Sequence, residues 1–192
     1  VGGWELQERF FKDSTLRVYM IKQIVKDIFR FKFKRFGSYV YLLKLEKNIL
    51  IDTSSRINRR QLIKKLKEIN LAPEDIQIII LTHNHFDHTG NYSIFKNAKI
   101  YGSKEDFSSE NIINIDKLNL KEFKIIKTPG HTQGSICVLY KKVLFSGDTL
   151  FDRDTIGRTD LRTSDPKKMK SSLEKLKKIK YNFLCPGHGY QD

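Results

Sequence analysis

The sequence predicts an α/β fold, specifically an αββα sandwich of two mixed β-sheets packed face to face with helices on their outer surfaces. Short β-branched and aromatic runs come first, helical and strand patterns then alternate, and a second set of strands closes with one helix and one strand. That order lets two sheets share a core and leaves the helices outside. At 192 residues the chain is long enough for one domain with a real core and short for two domains plus a linker. A single domain over residues 21–192 is expected. Residues 1–20 mix charges without a period and are read as an N-terminal extension with no assigned role, Met20 being a candidate natural start.

From residue 21 the pattern reads as strands over 21–28, 29–33, 38–45 and 48–52, with Lys47-Asn48 as the turn between the last two. Residues 57–69 carry Leu62, Ile63, Leu66 and Ile69 at helical spacing and end before Pro73. A strand over 76–81 follows, then a short helix beginning near Asn91, a strand over 99–101 and a variable stretch around 107–118. Strands over 122–128, 135–140 and 143–145 come next, the last two joined at Lys141-Lys142. The helix over 166–179 has Ser164-Asp165 as its cap and Pro166 at its first position. A final strand spans 183–185. There are no internal repeats and no low-complexity linker.

Composition narrows the function. The longest apolar runs, such as Ile78-Ile79-Ile80-Leu81, fall far short of the ~20 residues a membrane-spanning helix needs, and the N-terminus has no signal-peptide core. A soluble, cytoplasmic protein without a membrane partner is expected. The 2 cysteines, Cys137 and Cys185, lie in separate apolar segments, the pattern of buried reduced thiols. A formal net charge of +14 at pH 7 raises the question of nucleic acid. The lysines are scattered, however, and runs such as Lys64-Lys65-Leu66-Lys67 and Lys175-Leu176-Lys177-Lys178 have the spacing of solvated helix faces. The charge suits a small anionic substrate, whose encounter rate a positive field raises, better than it argues for nucleic acid. Oligomeric state is not legible.

The chemistry lies in the histidines. All 5 of them, His83, His85, His88, His131 and His188, sit in short segments that directly follow apolar strands, with Asp87 and Asp148 in the same kind of position. A folded sheet could gather these along one edge. Imidazole and carboxylate donors without thiolate suit Zn²⁺, Fe²⁺ or Mn²⁺, and a shared carboxylate can hold two ions ~3.5–4 Å apart, with a bridging hydroxide as nucleophile. Asp87 and Asp148 are the candidate catalytic carboxylates. A histidine taken singly more often caps a loop, and for His188 in its Gly-His-Gly turn the two readings balance. The H-x-H-x-D-H run together with His131, Asp148 and His188 is a different matter, because a combined context is what gives a metal motif weight.

These segments resemble the metallo-β-lactamase fold, and within it small glyoxalase II-like hydrolases. The likeness rests on Ile51-Asp52-Thr53, the run from His83 to Gly90, Pro129-Gly130-His131-Thr132-Gln133-Gly134-Ser135, Phe145-Ser146-Gly147-Asp148-Thr149-Leu150-Phe151, Gly157-Arg158-Thr159-Asp160 and Pro186-Gly187-His188-Gly189. It implies that His83, His85 and His131 bind one metal, that Asp87, His88 and His188 bind a second, and that Asp148 bridges them. Asp52 matches the family's buried aspartate behind the metal site. Thr132, Arg158, Asp160 and Tyr190 are candidates for supporting positions or for the substrate mouth, with a structural ion pair favoured for Arg158 and Asp160, and an ordinary surface tyrosine for Tyr190.

Subtraction selects a reaction. With every histidine assigned to metal, none remains to protonate a leaving group, which an amide nitrogen or a sugar alkoxide benefits from. A thiolate, with a free pKa of about 8.5, departs without help. Thioester hydrolysis with two divalent ions, zinc first and iron or manganese as alternatives, is therefore the expected activity, on a small anionic thioester. The main alternative is a mononuclear-iron persulfide dioxygenase using His83, His131 and Asp148; a metal-dependent ribonuclease ranks lower. Glyoxalase II enzymes continue past the last histidine motif into a helical domain that supplies glutathione contacts, so the resemblance does not carry the identity of the thiol.

Overall fold

The computed structural model describes residues 21–189, so the expectations for residues 1–20 and for Tyr190 lie outside the described residues. Two mixed sheets form the centre of the molecule. The larger has seven strands, β1 (Ile21–Val25), β2 (Ile28–Phe31), β3 (Val40–Lys44), β4 (Asn48–Ile51), β5 (Ile78–Ile80), β6 (Lys99–Gly102) and β7 (Ile113–Asn114), lying side by side in chain order. Strands β1 to β4 run antiparallel as successive hairpins, and β4 to β7 run parallel. The smaller sheet has four strands in the order β11-β10-β9-β8, built from β8 (Phe123–Lys127), β9 (Ile136–Tyr140), β10 (Val143–Gly147) and β11 (Phe183–Pro186), with only β10 and β11 parallel.

The period of two along each strand sorts side chains into three apolar layers. Tyr41 and Leu43, Ile49 and Ile51, and Ile78 and Ile80 point from the large sheet toward Ile136, Val138, Tyr140, Val143 and Phe145 of the small one, forming the central core. Their neighbours in sequence, Leu42, Leu50, Ile79 and Leu81, face outward, where Leu62 and Leu66 of helix α1 (Arg59–Glu68) cover them. On the far side Cys137 and Leu144 meet Leu176 of helix α3 (Pro166–Leu176). The predicted αββα layering is the observed one.

Boundaries differ from expectation in instructive ways. The strand expected over 21–28 is broken at Lys26-Asp27, where Asp27 adopts a left-handed φ of 64° and turns the chain into the β1–β2 hairpin. Aspartate tolerates that conformation better than most residues. The bend before β4 falls at 45–47 instead of at Lys47-Asn48, because Asn48 is already paired opposite Lys44. In α1, Ile63 is 38% exposed while Lys65 is 3% exposed, its ammonium 5.8 Å from the Phe33 ring centroid. Burial lowers the Lys65 pKa to about 8. The short helix expected near Asn91 is present as a 3₁₀ turn over Tyr92–Ile94 with Asn91 at its N-cap, and a second short helix, α2 (Phe86–Thr89), lies before it inside the histidine cluster itself. Asn91 is buried, its amide donating to the carbonyls of Thr53 and Ser55 at 2.8 Å each. The stretch treated as variable contains β7 and a short 3₁₀ turn at Ile115–Lys117. Helix α3 stops at Leu176, short of residue 179, and Asp165 caps it by accepting from the backbone of Lys167 and Lys168 at 2.9 and 3.0 Å.

No described helix is long and apolar enough to cross a membrane. Both cysteines are free and buried, as expected.

Burial pushes the Cys137 thiol up to about 11 and Cys185 to about 12. Because the thiolate is the reacting form, a disulfide reagent such as DTNB should leave both thiols intact in the native protein at about pH 8 and titrate both in denaturant. Between the unfolded thiol pKa of about 8.5 and these raised values the folded chain keeps protons that the unfolded chain releases, so stability should fall as pH rises through that window. Replacing Phe145, which is fully buried between the sheets, by alanine should cost about 3–5 kcal/mol in a denaturant titration.

Candidate metal centre

Every candidate ligand sits just beyond a strand end or in a loop held against one. Parallel β4 and β5 carry Asp52 and His83 past their C-termini, parallel β10 and β11 carry Asp148 and His188, and the β8–β9 loop carries His131. Helix α2 turns Asp87 and His88 back toward the same point. The two sheets thus converge their polar ends at one edge of the sandwich, where backbone groups no longer need ladder partners.

The geometry brings all the predicted donors together. Nδ1 of His85 lies 3.1 Å from Nε2 of His83 and 2.9 Å from Nε2 of His131. On the other side Nε2 of His188 lies 3.1 Å from Oδ2 of Asp87 and 3.3 Å from Nε2 of His88. Asp148 stands between the two groups, its Oδ2 3.5 Å from Nε2 of His131 and 3.6 Å from Nε2 of His188, its Oδ1 3.2 Å from Nε2 of His88. Sets of three donor atoms lying within 4.8 Å of one another occur at His83, His85 and His131, at His83, His88 and Asp148, and at Asp87, His88 and His188. These groups could hold metal ions.

Hydrogen bonding on the outer side of the rings decides which nitrogens face inward as lone pairs. Oδ1 of Asp52 accepts from the Thr82 backbone and Oδ2 from the Thr82 hydroxyl, each at 2.8 Å. Having donated its proton, the Thr82 oxygen accepts from Nδ1 of His83 at 3.0 Å. Oδ2 of Asp52 also takes the Nδ1 proton of His88 at 2.8 Å, and the carbonyl of Arg158 takes that of His131 at 2.8 Å. In their neutral forms His83, His88 and His131 must then present unprotonated Nε2 atoms to the centre. Asp148 adds a buried Oδ1 that makes no hydrogen bond. Converging lone pairs and an orphaned carboxylate oxygen are what a cation satisfies and what a purely structural polar cluster avoids.

Electrostatics point the same way. Burial, then the neighbouring His88, holds His83 well below the ordinary histidine range, and burial with His131 lowers His85, so both shifts favour the neutral ring. Burial opposes ionisation of Asp148 and Asp87, yet the surrounding imidazoles overcome it and keep both carboxylates charged. Burial would likewise depress His88, but Asp148 and Asp52 on either side raise its proton affinity well above the usual value. The field that attracts a proton there would attract a metal ion equally.

The supporting positions divide. Asp52 is buried behind the cluster as expected, with a left-handed φ of 59° that its three bonds stabilise. Thr132 does not face the mouth: it is buried, and its hydroxyl bonds Asp106 at 2.6 Å and Ser135 at 2.7 Å. Arg158 and Asp160 form a forked ion pair at 2.8–2.9 Å whose side chains are both 68% exposed, and the guanidinium holds the Asp160 carboxyl down to about 2. It is the Arg158 carbonyl, not its side chain, that serves the centre. Sequence reasoning missed Thr82 and Asp106. Thr82 couples Asp52 to His83, and Asp106 ties the histidine loop to the His131 loop by accepting from the backbone of Asn84 and Gly134 at 3.0 and 2.7 Å. Position next to His83 could have signalled Thr82; nothing local could have signalled Asp106.

A family model described as the metallo-β-lactamase superfamily matches residues 34–106 and 108–188. The chain belongs to the metallo-β-lactamase superfamily. It is 40% identical over 143 residues to a probable metallo-hydrolase of Methanocaldococcus jannaschii, covering 73% of this chain and 70% of that protein. It is 29% identical over 165 residues to the hydroxyacylglutathione hydrolase of an Enterobacter species, covering 80% of this chain and 62% of that enzyme. Among solved structures, a protein crystallised in a di-iron-bound form superposes with a TM-score of 0.69 at 25% identity, over 80% of this chain and 88% of its own. The superfamily's sandwich thus agrees with the fold read from the strands.

Removing the Asp52 carboxylate frees His88 and Thr82 together. Asp52→Ala should weaken metal binding by about 10–100-fold, measured by competition with a chromogenic chelator. A methyl group at Gly187 would lie 2.2 Å from Oδ1 of Asp148 and 2.7 Å from Cε1 of His88. Gly187→Ala should therefore reduce metal content in elemental analysis even where circular dichroism is unchanged.

Proposed function

We propose that this protein is a metal-dependent hydrolase of thioesters. In this reading His83, His85 and His131 hold one divalent ion, Asp87, His88 and His188 hold a second, and Asp148 bridges them. Zinc is the first candidate, with iron or manganese as alternatives compatible with imidazole and carboxylate donors. The observation that carries the reading is the position of Asp148, with one oxygen within 3.6 Å of an imidazole nitrogen from each group. Divalent ions, when bound, supply a water of lowered pKa and polarise a carbonyl oxygen.

What the chain itself contributes is position and charge. Asp52, Thr82 and the Arg158 carbonyl hold the rings in one tautomer, so little reorganisation is left for the reacting state. Asp87 and Asp148 remain ionised and keep the centre negatively balanced. All 5 histidines of the chain converge on the centre, so no imidazole is left to protonate a leaving group. Both cysteines are buried with raised pKa values, which removes them as nucleophiles. Water adding to the acyl carbon with cleavage of the C–S bond, giving a carboxylate and a thiol, is the acyl transfer that least needs such an acid. Likeness to a metallo-hydrolase and to a hydroxyacylglutathione hydrolase supports the assignment.

The test is elemental analysis of the purified protein with parallel assays of S-lactoylglutathione hydrolysis and persulfide-dependent oxygen consumption. About two metal equivalents with thiol release is the expected result. One iron with oxygen uptake would replace it by a persulfide dioxygenase centred on His83, His131 and Asp148. His85→Ala and Asp148→Ala should each lower hydrolysis by more than about 100-fold while the thermal transition persists.

A further inference from the structure

Beside the metal centre lies a groove of about 470 Å³ lined by Arg35, Arg56, Ile57, Arg59, Arg60 and Gln61, with no acidic residue in its wall. The side chains of Arg35, Arg56 and Arg60 are exposed and make no hydrogen bond or ion pair among the described residues, while Arg59 touches only Asn91, at 3.4 Å. Three of these arginines enter at the start of α1 and its preceding 3₁₀ turn, where no acidic side chain occupies the first turn. Four arginines lining one groove with no carboxylate among the lining residues leave its positive charge without local compensation. An arrangement of that kind is compatible with a multiply charged anion such as phosphate, whose oxygens the guanidinium fork engages in pairs.

The groove is tied to the catalytic edge on both flanks. Arg35 is followed by Phe36, whose ring is 66% exposed, stacks 6.1 Å from His188 and lies 5.8 Å from the 70%-exposed ring of Phe86. Asn58 pins this segment by donating to the carbonyls of Arg35 and Phe36 at 3.2 and 3.1 Å. On the other flank the backbone of Arg56 packs against Gly90, where an added Cβ would lie 2.4 Å from the Arg56 nitrogen. The arginine wall and the aromatic pair meet at the consecutive residues Arg35 and Phe36, whose Cα atoms are about 3.8 Å apart.

Building on the thioester reading, we infer that the thiol half of the substrate carries phosphate, bound in the Arg35–Arg56–Arg59–Arg60 groove, while an apolar stretch of the substrate lies across Phe36 and Phe86. Scattered surface lysines do not provide such a pocket, and a phosphate of nearly two charges sets more negative charge against four arginines than a single carboxylate does. The substrate class is thus an acyl thioester of a phosphorylated thiol carrier.

The experiment uses the full chain and the Arg56→Gln/Arg60→Gln variant. Binding of coenzyme A and of 3′,5′-ADP is measured by calorimetry, and hydrolysis of hexanoyl-coenzyme A is compared with that of hexanoyl-N-acetylcysteamine, which has the same acyl group and no phosphate. The wild type should bind both phosphate probes, and the variant about tenfold or more weakly. The ratio of kcat/KM for the phosphorylated over the truncated thioester should fall by a similar factor, through KM. Phosphate-probe binding without turnover of either thioester would leave the groove standing and overturn the thioesterase reading. Turnover of both thioesters with a ratio that the variant does not change would overturn the groove alone. Tight binding of a single-stranded oligoribonucleotide with none of coenzyme A would overturn the phosphorylated thiol in favour of nucleic acid.

Discussion

The buried carboxylate of Asp52 is the constraint on which the histidine and aspartate cluster depends. It leaves β4 in a left-handed conformation and spends both oxygens on the Thr82 backbone, the Thr82 hydroxyl and the His88 ring. A charged group so deeply buried is tolerable only when fully bonded. Those bonds pass its orientation to both halves of the centre, to His83 through Thr82 and to His88 directly. Removal of this single group would leave buried donors unpaired and at least two imidazoles free to rotate.

The rest of the fold holds that carboxylate against the histidines and aspartates of the cluster. Asp52 and His83 stay adjacent because β4 and β5 are parallel neighbours in register, Ile51 opposite Ile80. Asp148 and His188 stay adjacent because β10 and β11 are parallel neighbours in the other sheet. The central apolar layer between Tyr41, Ile51 and Ile80 on one side and Val138 and Phe145 on the other fixes the distance between the two pairs. Tyr41 adds a direct tie across the layer, its hydroxyl donating to the Pro186 carbonyl at 2.7 Å, two residues before His188.

Close packing around the ligands is a second consequence. Gly147, with φ 50°, lies where an added Cβ would come within 2.8 Å of Thr82, and Gly187 lies against Asp148 and His88. These positions need a residue without a side chain because two strand ends and a loop meet there. The outer rim is more exposed, presenting Phe36 and Phe86 near an arginine-lined groove.

The sequence by itself determined the layering and the placing of the histidines and aspartates just beyond the strands. Alternation in runs such as Val40–Lys44 and Ile136–Tyr140 is a local pattern that depends only on the period of a strand, and the run from His83 to His88 announces metal chemistry through residue types alone. Turn positions were less legible, as at Lys26-Asp27, because a left-handed aspartate leaves little trace in hydrophobic pattern. Only the tertiary structure decided that Thr132 turns away to bond Asp106, that Asp106 staples two loops, that the Arg158 carbonyl orients His131, and that Arg35 joins Arg56, Arg59 and Arg60. The physical reason is common to all of these. Each is a contact between segments distant along the chain, set by how two sheets pack, and neither periodicity nor motif spacing encodes it.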